Sequence, residues 1–294
     1  MNQDEWLRII QSTESTQSQH SPQPAKPDNS VAQLDDASHP PLAQDPWLHL
    51  PVIGIGMTGI IYAVGESRVV KKPKQSRLPD PGDAEYMNDM NRKILENEIQ
   101  VFKRLGNHDG IIECFHLSQY GVELARAHGD LEDHIKNYPE PAIPSKIAWI
   151  LSLTETFSYI HSRRVFVDDI ALRNILVLDG QLKVADFGQS ILLPLEADIT
   201  TVTENDLNIR IEILHIGWIL YSIASWTVHK YYFFTAEEPD LSQPVSFLNV
   251  DDVLCGKIIE KCWRGGYANT DHLRIDALEL LADQSPAAVR ESKE

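Results

Sequence analysis

VDDIALRNILVLDGQLKVADFG, residues 167–188, is the stretch that decides how this chain is interpreted. It contains a carboxylate at Asp169, a carboxamide at Asn174 and, after a short apolar strand and a turn, a second carboxylate at Asp186. A lone carboxylate is usually a solvated loop residue, but three such side chains within 18 residues, flanked by apolar strands, are expected to meet at one site. Moving a phosphoryl group requires this set, because one group accepts the proton of the attacking hydroxyl and the others are oxygen ligands for Mg²⁺.

The composition excludes several classes of function. The chain has 294 residues and a net charge of −17, so nucleic acid and anionic membrane surfaces are not expected as partners. Cys114, Cys255 and Cys262 form no even disulfide framework, which favours an intracellular protein of the cytoplasm or the nucleus. No signal peptide is expected, because a basic start followed by an apolar run is missing, and the longest apolar run, residues 213–224, is too short to span a bilayer.

The two ends of the chain differ in composition from its centre. Residues 1–46 are rich in Gln, Ser, Pro and Asp, which predicts a disordered, low-complexity tail. The only apolar cluster in that tail, at residues 6–10, has a short docking helix as its alternative interpretation. Order is expected to begin near Trp47, and residues 285–294 are expected to form a second flexible tail.

The first half of the ordered region is predicted to be mostly β structure. Residues 52–64 form a strand pair with a glycine-punctuated turn, and residues 68–71 form a third strand. Prolines at 73, 79 and 81 are expected to delay the next helix until about Asn88, and Gly106 ends it. Two further short strands are predicted, at 111–112 and 121–125.

The second half is predicted to be mostly helical. A strong amphipathic helix begins at Pro144, and residues 211–224 are apolar nearly all round, which indicates a buried central helix. Later helices fit residues 253–261 and 272–281, and short strands fit the surroundings of Val165 and residues 175–177. The chain is therefore expected to fold as a small β-rich lobe followed by a larger helical lobe.

The spacing Gly54-x-Gly56-x-x-Gly59 has two interpretations. It is either a simple bend in a hairpin or a cover for phosphates, in which backbone N–H groups approach a polyphosphate because side chains are absent. A dinucleotide site is disfavoured, since residues 60–64 continue as a strand and not as a helix.

Lys71 and Glu98 are candidate partners in the first lobe. A lysine at the end of the third strand can direct its charge at phosphates, whereas a snorkelling surface lysine is the alternative and fits Lys72 and Lys74. Strand alternation alone does not distinguish Lys71 from Lys72. Glu98 lies beside the apolar helix stripe and either pairs with the lysine or is solvated like Glu96.

From Trp47 to Leu281 the order of these motifs resembles a eukaryotic protein kinase domain. The resemblance implies an α+β, two-lobed protein kinase-like fold, with a small β-rich N-lobe containing one helix and a larger helical C-lobe. The implied bounds are 47–128 for the N-lobe and 129–284 for the C-lobe. The late segment CWRGGY, residues 262–267, is similar to divergent kinase-like proteins of filamentous fungi.

The resemblance also implies a role for each motif. In the N-lobe it implies that Gly54, Gly56 and Gly59 form a glycine-rich loop. It implies that Lys71 is the third-strand lysine and Glu98 its helix partner. It also implies a hinge at 123–128 that binds adenine through Ala125, Arg126 and Ala127. In the C-lobe it implies Asp169 as the catalytic base and Asn174 and Asp186 as magnesium ligands. Arg173 resembles the tyrosine-kinase arrangement, in which a guanidinium reaches the γ-phosphate.

Several positions depart from the family pattern. Val167-Asp168 replaces the family's His-Arg, and an acid in place of the phosphate-clamping arginine argues against the usual switch by activation-segment phosphorylation. Residues 189–209 contain no Lys or Arg. No Ala-Pro-Glu is present, so the peptide-substrate platform is expected to be altered, and Glu212 takes the position of a conventional Asp at the start of the buried helix.

The resulting hypothesis is an ATP-dependent protein kinase that transfers the γ-phosphate of Mg–ATP to a Ser, Thr or Tyr hydroxyl of a protein substrate, acting as a monomer. One alternative is a pseudokinase-like interaction module that binds nucleotide without turnover. A second alternative is a small-molecule phosphotransferase on a related fold. ATP and Mg²⁺ are the expected cofactors, and the histidines and cysteines show no zinc spacing.

Overall fold

A computed structural model describes residue 47, residues 49–229 and residues 248–281. The predicted tails at 1–46 and 285–294, and the apolar cluster at 6–10, lie outside these residues, so the domain bounds remain predictions. No helix within the described ranges is long and apolar enough to cross a membrane.

The first lobe is built on five strands, which are β1 Val52–Ile55, β2 Gly59–Val64, β3 Arg68–Pro73, β4 Cys114–Ser118 and β5 Gly121–Ala125. They form one antiparallel sheet with the order β1-β2-β3-β5-β4. The first three confirm the predicted glycine-punctuated strand pair and third strand. In the register of the sheet Lys71 lies opposite both Ile61 on β2 and Val122 on β5, which places this lysine on the central strand.

The single helix of this lobe, α1 Pro81–Leu105, begins earlier than predicted. The expected start near Asn88 is wrong because Pro81 occupies the first turn, where a missing N–H costs nothing. The Asp80 side chain caps the helix by accepting hydrogen bonds from the N–H groups of Gly82 at 2.8 Å and Asp83 at 3.1 Å. The helix ends at Gly106, as predicted.

The loop after α1 attaches the first lobe to the second. The predicted strand at 111–112 is wrong, since Ile111 makes only an isolated bridge with Val184. The carbonyl of Gly110 accepts a hydrogen bond from the Val184 N–H at 2.8 Å, and the Ile112 N–H donates to the Val184 carbonyl at 3.0 Å. A Cβ added to Gly110 would lie 1.7 Å from Oγ1 of the buried Thr156. The backbone of the loop therefore packs directly against a side chain of the second lobe.

The second lobe is mainly helical, as the sequence predicts. Its helices are α2 Leu131–Asn137, α3 Ile143–Ser162, α4 Ile209–Ser225, α5 Gly256–Trp263 and α6 Thr270–Leu281, with a short 3₁₀ turn at Leu172–Asn174. Its short strands are β6 Gly129–Asp130, β7 Val165–Phe166, β8 Ile175–Leu178, β9 Gln181–Val184, β10 Ile191–Leu192, β11 Thr203–Glu204 and β12 Leu207–Asn208. Helix α5 begins three residues after its predicted start at residue 253.

Helix α4 forms the centre of this lobe. Its residues are buried on all sides over most of its length, which confirms the prediction made from its all-round apolar sequence. The chain enters α4 directly from the β11–β12 hairpin, whose turn residues Asn205 and Asp206 have φ of 50° and 63°. Positive φ at both turn residues is what a tight two-residue hairpin requires.

We expect Gly110→Ala to lower the free energy of unfolding by about 1–3 kcal/mol, because the added methyl group overlaps Thr156 in a packed interior. Chemical denaturation measures the change. Gly129→Ala is the matched control, since a Cβ there meets no atom within 4 Å. Removing the Thr156 hydroxyl with Thr156→Ala should reduce the penalty of Gly110→Ala, and an undiminished penalty would contradict the proposed overlap.

Candidate active site

The Lys71 ammonium joins three separate parts of the chain. Its Nζ lies 2.8 Å from Glu98 Oε2 on α1 and 2.7 Å from Asp186 Oδ1, in the loop that follows β9. Glu98 is fully buried and Lys71 is 9% exposed. This geometry distinguishes Lys71 from Lys72, which the sequence pattern could not do. Lys72 lies near the ring of Tyr62, with 5.5 Å between Nζ and the ring centroid.

Lys71 and the two carboxylates stabilise one another in their charged forms. Burial acts to lower the pKa of Lys71, but the carboxylates of Glu98 and Asp186 outweigh it and hold that pKa above its ordinary value. Burial raises the pKa of Glu98, and the ion pair with Lys71 opposes this. Burial also acts to raise the pKa of Asp186, yet Lys71 outweighs it and the pKa is lowered. The lysine therefore remains a cation at neutral pH.

Asp169 and Asn174 are linked to each other directly. The Asn174 Nδ2 group donates hydrogen bonds to the Asp169 backbone carbonyl at 2.9 Å and to Asp169 Oδ2 at 2.8 Å. Arg173 Nη2 lies 2.7 Å from both carboxylate oxygens of Asp169. The bond from the Ala185 N–H to the Asn174 carbonyl, 2.9 Å, continues the β8–β9 pairing and brings Asp186 beside this loop. Asp169 and Asn174 are thus bonded to each other, and Asp186, the partner of Lys71, follows the residue that pairs with the Asn174 backbone.

The glycine-rich turn lies over Lys71. The Gly56 N–H donates to the Gly59 carbonyl at 2.8 Å and closes the turn between β1 and β2. A Cβ added to Gly59 would lie 3.2 Å from Lys71 Cε, which is closer than most Cβ contacts. A side chain at this position would fill the space above the lysine. A Cβ added to Gly54 would lie 3.5 Å from Ile61 Cβ, which is an ordinary van der Waals contact.

The predicted hinge follows the last paired strand of the sheet. Ala125 is buried, Ala127 is half-buried and Arg126 is exposed. Backbone N–H groups on either side of Ala127 already donate to carbonyls: Ala125 to Glu113, Arg126 to Ser67 and His128 to Val177. These bonds fix the hinge between the sheet and the C-lobe.

A buried acid on α4 accepts hydrogen bonds from the backbone of the loop that carries Asp169. Glu212 is fully buried, and its Oε1 accepts hydrogen bonds from the N–H groups of Val167 at 2.5 Å and Asp168 at 3.0 Å. Its Oε2 lies 2.6 Å from His161 Nε2, and His161 Nδ1 lies 2.8 Å from Thr270 Oγ1. Glu212 lies in the first turn of α4, as predicted from the sequence. Thr270 was not predicted, because no local motif signals it.

Val167 and Asp168 occupy different surroundings. Val167 is buried in the same core as Phe187, whose ring packs edge-on against Phe102 of α1 with centroids 5.3 Å apart. Asp168 has a φ of 64°, in the left-handed region. Asp168 keeps an exposed edge, and its partial desolvation, together with the neighbouring acids Glu212 and Asp169, raises its pKa to about 6. This position therefore carries an acid where the family has a cation.

Comparison with known proteins agrees with this architecture. The family model described as "Protein kinase domain" matches residues 49–207, more than half of the chain. The serine/threonine-protein kinase Nek11 of Homo sapiens is 28% identical over 163 residues, covering 51% of this chain and 24% of Nek11. The Aurora kinase of Candida albicans is 29% identical, covering 48% of this chain and 27% of that kinase.

A third relative is the mitogen-activated protein kinase kinase kinase MST11 of Pyricularia oryzae, which is 32% identical over 162 residues, or 49% of this chain and 17% of MST11. The chain thus spans about a quarter or less of the length of these relatives. The match of the family model over residues 49–207, together with the two-lobed fold, shows that the chain belongs to the protein kinase domain family.

Proposed function

We propose that this chain is an ATP-dependent protein kinase domain that transfers the γ-phosphate of Mg–ATP to a hydroxyl of a protein substrate. The observation that carries the proposal is the position of the Lys71 ammonium, 2.8 Å from Glu98 and 2.7 Å from Asp186. A buried cation between a helix acid and a loop acid is what a site for nucleotide phosphates requires. Inactive relatives usually lack the lysine, the catalytic Asp or the Asp of Asp-Phe-Gly, and this chain has all three as Lys71, Asp169 and Asp186.

Nucleotide binding uses the cleft between the lobes. The turn with Gly54, Gly56 and Gly59 covers the phosphates, and Lys71 holds the α and β phosphates. The hinge residues Ala125, Arg126 and Ala127 bind adenine through the backbone. Because the N–H groups of its neighbours are engaged, Ala127 is the hinge residue whose N–H we assign to the adenine ring.

Magnesium suits the donors at the base of the cleft. The Asn174 side-chain nitrogen donates to Asp169, so the amide oxygen is the atom left for a cation, and Asp186 would contribute carboxylate oxygens. Among the described residues no group of three His, Cys, Asp or Glu side chains could hold a metal alone. A cation held by Asn174, Asp186 and phosphate oxygens fits this arrangement, because Mg²⁺ in such sites takes few protein ligands.

Asp169 and Arg173 complete the chemistry. Asp169 accepts the proton of the substrate hydroxyl. The hydroxyl oxygen bonds to the γ-phosphorus of ATP, and the bond between that phosphorus and the bridging oxygen of the β-phosphate breaks. Arg173 contacts both oxygens of Asp169 and contributes a positive charge near Asp186, which stabilises charge that develops on the γ-phosphate. Lys71 and Glu98 position the phosphates throughout.

The exposed acids of the segment that follows Asp-Phe-Gly favour a basic substrate. Residues 189–209 contain four acids and no Lys or Arg; the acids are Glu196, Asp198, Glu204 and Asp206. Charge complementarity of this kind increases the rate of association with positively charged partners. The β11–β12 hairpin stands directly before α4, where the family has Ala-Pro-Glu. This altered platform keeps the small-molecule phosphotransferase as the second candidate.

A phosphotransfer assay with [γ-³²P]ATP and Mg²⁺ or Mn²⁺ tests the proposal. We expect labelling of a basic protein such as a histone to exceed labelling of an acidic protein such as casein. Mg–ATP should also raise the thermal unfolding midpoint. Nucleotide binding without transfer to any protein would identify the pseudokinase-like module, and faster ATP consumption with a metabolite set would identify the small-molecule enzyme.

Asp169→Asn is expected to lower phosphotransfer by about 10²–10⁴-fold, because the amide cannot accept the hydroxyl proton. The fold should remain intact, since the replacement has the same shape, with only a small drop in the unfolding midpoint from the lost contacts with Arg173 and Asn174. Initial rates at saturating ATP measure the effect. A variant that keeps the wild-type rate would remove Asp169 from the mechanism.

Lys71→Met is expected to abolish phosphotransfer and to lower the free energy of unfolding by up to about 3–5 kcal/mol, because Glu98 is left buried without its cation. The double variant Lys71→Met/Glu98→Gln should be more stable than the single variant and equally inactive. Lys72→Met serves as the control on the same strand and should retain activity. Equal stability of the single and double variants would show that Glu98 does not depend on Lys71.

Asp168→Asn is expected to stabilise the folded chain in a pH-dependent way. The pKa of Asp168 rises from 3.8 to about 6 on folding, so the folded state binds more protons in this window and wild-type stability falls as pH rises through it. The advantage of the variant should therefore grow from about pH 4 to pH 6 and stay constant above. Urea unfolding at each pH measures it, with Asp179→Asn as the control at another positive φ. A difference that does not change with pH would contradict the shift.

A further inference from the structure

Two polar side chains of α1 reach the backbone of the segment that follows Asp186. Asn97 Nδ2 lies 3.0 Å from the Gly188 carbonyl oxygen and 2.7 Å from that of Ser190. Arg104 Nη1 lies 2.5 Å from the carbonyl oxygen of Leu193. An amide NH₂ group has two hydrogens and a guanidinium has five, so these donors can satisfy three carbonyls of one short segment.

The two donors share one face of α1. They are seven residues apart, which is close to two helical turns, and Ile94 lies one turn before Asn97. A Cβ added to Gly188 would lie 2.6 Å from Ile94 Cγ2, so the helix and the segment are in direct contact at this glycine. The helix thus contacts the segment at its beginning, through Asn97, and near β10, through Arg104.

The C-terminal end of α1 also accepts hydrogen bonds from the residue that follows α3. Arg163, which follows α3, donates to the Arg104 carbonyl from Nε at 3.0 Å and from Nη2 at 2.8 Å. Beside this contact, β10 pairs with β7 through Ile191 and Leu192. The end of α1, the end of α3 and the start of the segment therefore form one hydrogen-bonded junction.

These contacts fix the side chains that hold nucleotide. Glu98 follows Asn97 directly, and Phe102 packs on Phe187, which follows Asp186. Sliding or rotation of α1 that separated Glu98 from Lys71 would also break the bonds from Asn97 and Arg104. All of the acceptors are backbone carbonyls, which are present whatever the modification state of the segment. No positive side chain lies within 189–209, and Asp168 takes the place of the family's phosphate-clamping arginine.

We propose that Asn97 and Arg104 are positioning residues that hold α1 against residues 188–193. These contacts keep Lys71, Glu98 and Asp186 together without phosphorylation of residues 189–209. The inference rests on the proposed phosphotransfer for its kinetic consequence. Its structural consequence, an ordered segment in the unmodified protein, is independent of activity.

The test uses the full chain with Asn97→Leu, Arg104→Met and Arg104→Lys. The controls are Asn91→Leu, whose amide bonds to the Lys74 carbonyl, and Arg92→Met, whose guanidinium pairs with Asp89 on the same helix. Hydrogen–deuterium exchange over residues 187–193 is measured for each. We expect exchange there to rise about tenfold for Asn97→Leu and Arg104→Met, as the loss of one or two hydrogen bonds implies, and not for the controls. Arg104→Lys, which keeps one donor, should be intermediate.

Kinetics and phosphatase treatment supply the second readout. kcat should fall about tenfold or more in the two loss variants, with a smaller change in KM for ATP, and wild type treated with phosphatase should keep its rate. Exchange and kcat equal to those of the controls, or a wild type inactivated by phosphatase, would overturn the proposal. An inactive wild type would instead refute the proposed function, and the exchange data would still decide whether the two side chains hold the segment.

Discussion

The ammonium group of Lys71 is the point at which the sheet, the helix α1 and the loop of Asp186 depend on one another. A buried cation is stable only with compensating charge, and the two carboxylates within 2.8 Å supply it. Each carboxylate in turn is held by its own element: Glu98 by the interior face of α1, and Asp186 by the turn after β9. Asp186 has a φ of 60°, a conformation that a non-glycine residue adopts at some cost. The ion pair is therefore the centre of the candidate site, and together with the bonds from Asn97 it stabilises the loop in this shape.

The second lobe supplies a fixed base for this arrangement. Glu212 accepts bonds from two consecutive backbone N–H groups and contacts His161, which links α4, α3 and α6 to the loop of Asp169. A buried carboxylate is tolerated here because each oxygen has a partner. One acid thus sets the position of the loop, while the hydroxyl chemistry is assigned to its neighbour Asp169.

Much of the fold followed from local pattern. The glycine-punctuated strands, the apolar helix α4 and the order of motifs were predicted correctly, because each depends on periodicity or on residues close in sequence. The start of α1 was missed because Pro81 was interpreted as a helix breaker and not as a first-turn residue. The choice of Lys71 over Lys72 depended on the pairing with Glu98, across 27 positions. Asn97 and Arg104 were also not found, since their acceptors are backbone carbonyls about 90 residues away, for which a sequence carries no signal.

The absence of basic residues between Gln189 and Ile209 has a practical consequence for mass spectrometry. Trypsin cleaves after Lys183 and next after Arg210, so it releases residues 184–210 as one fragment of 27 residues. That fragment contains Asp186 and every hydroxyl-bearing residue of the segment, namely Ser190, Thr200, Thr201 and Thr203. The complete modification state of this segment can therefore be read from the mass of a single acidic peptide.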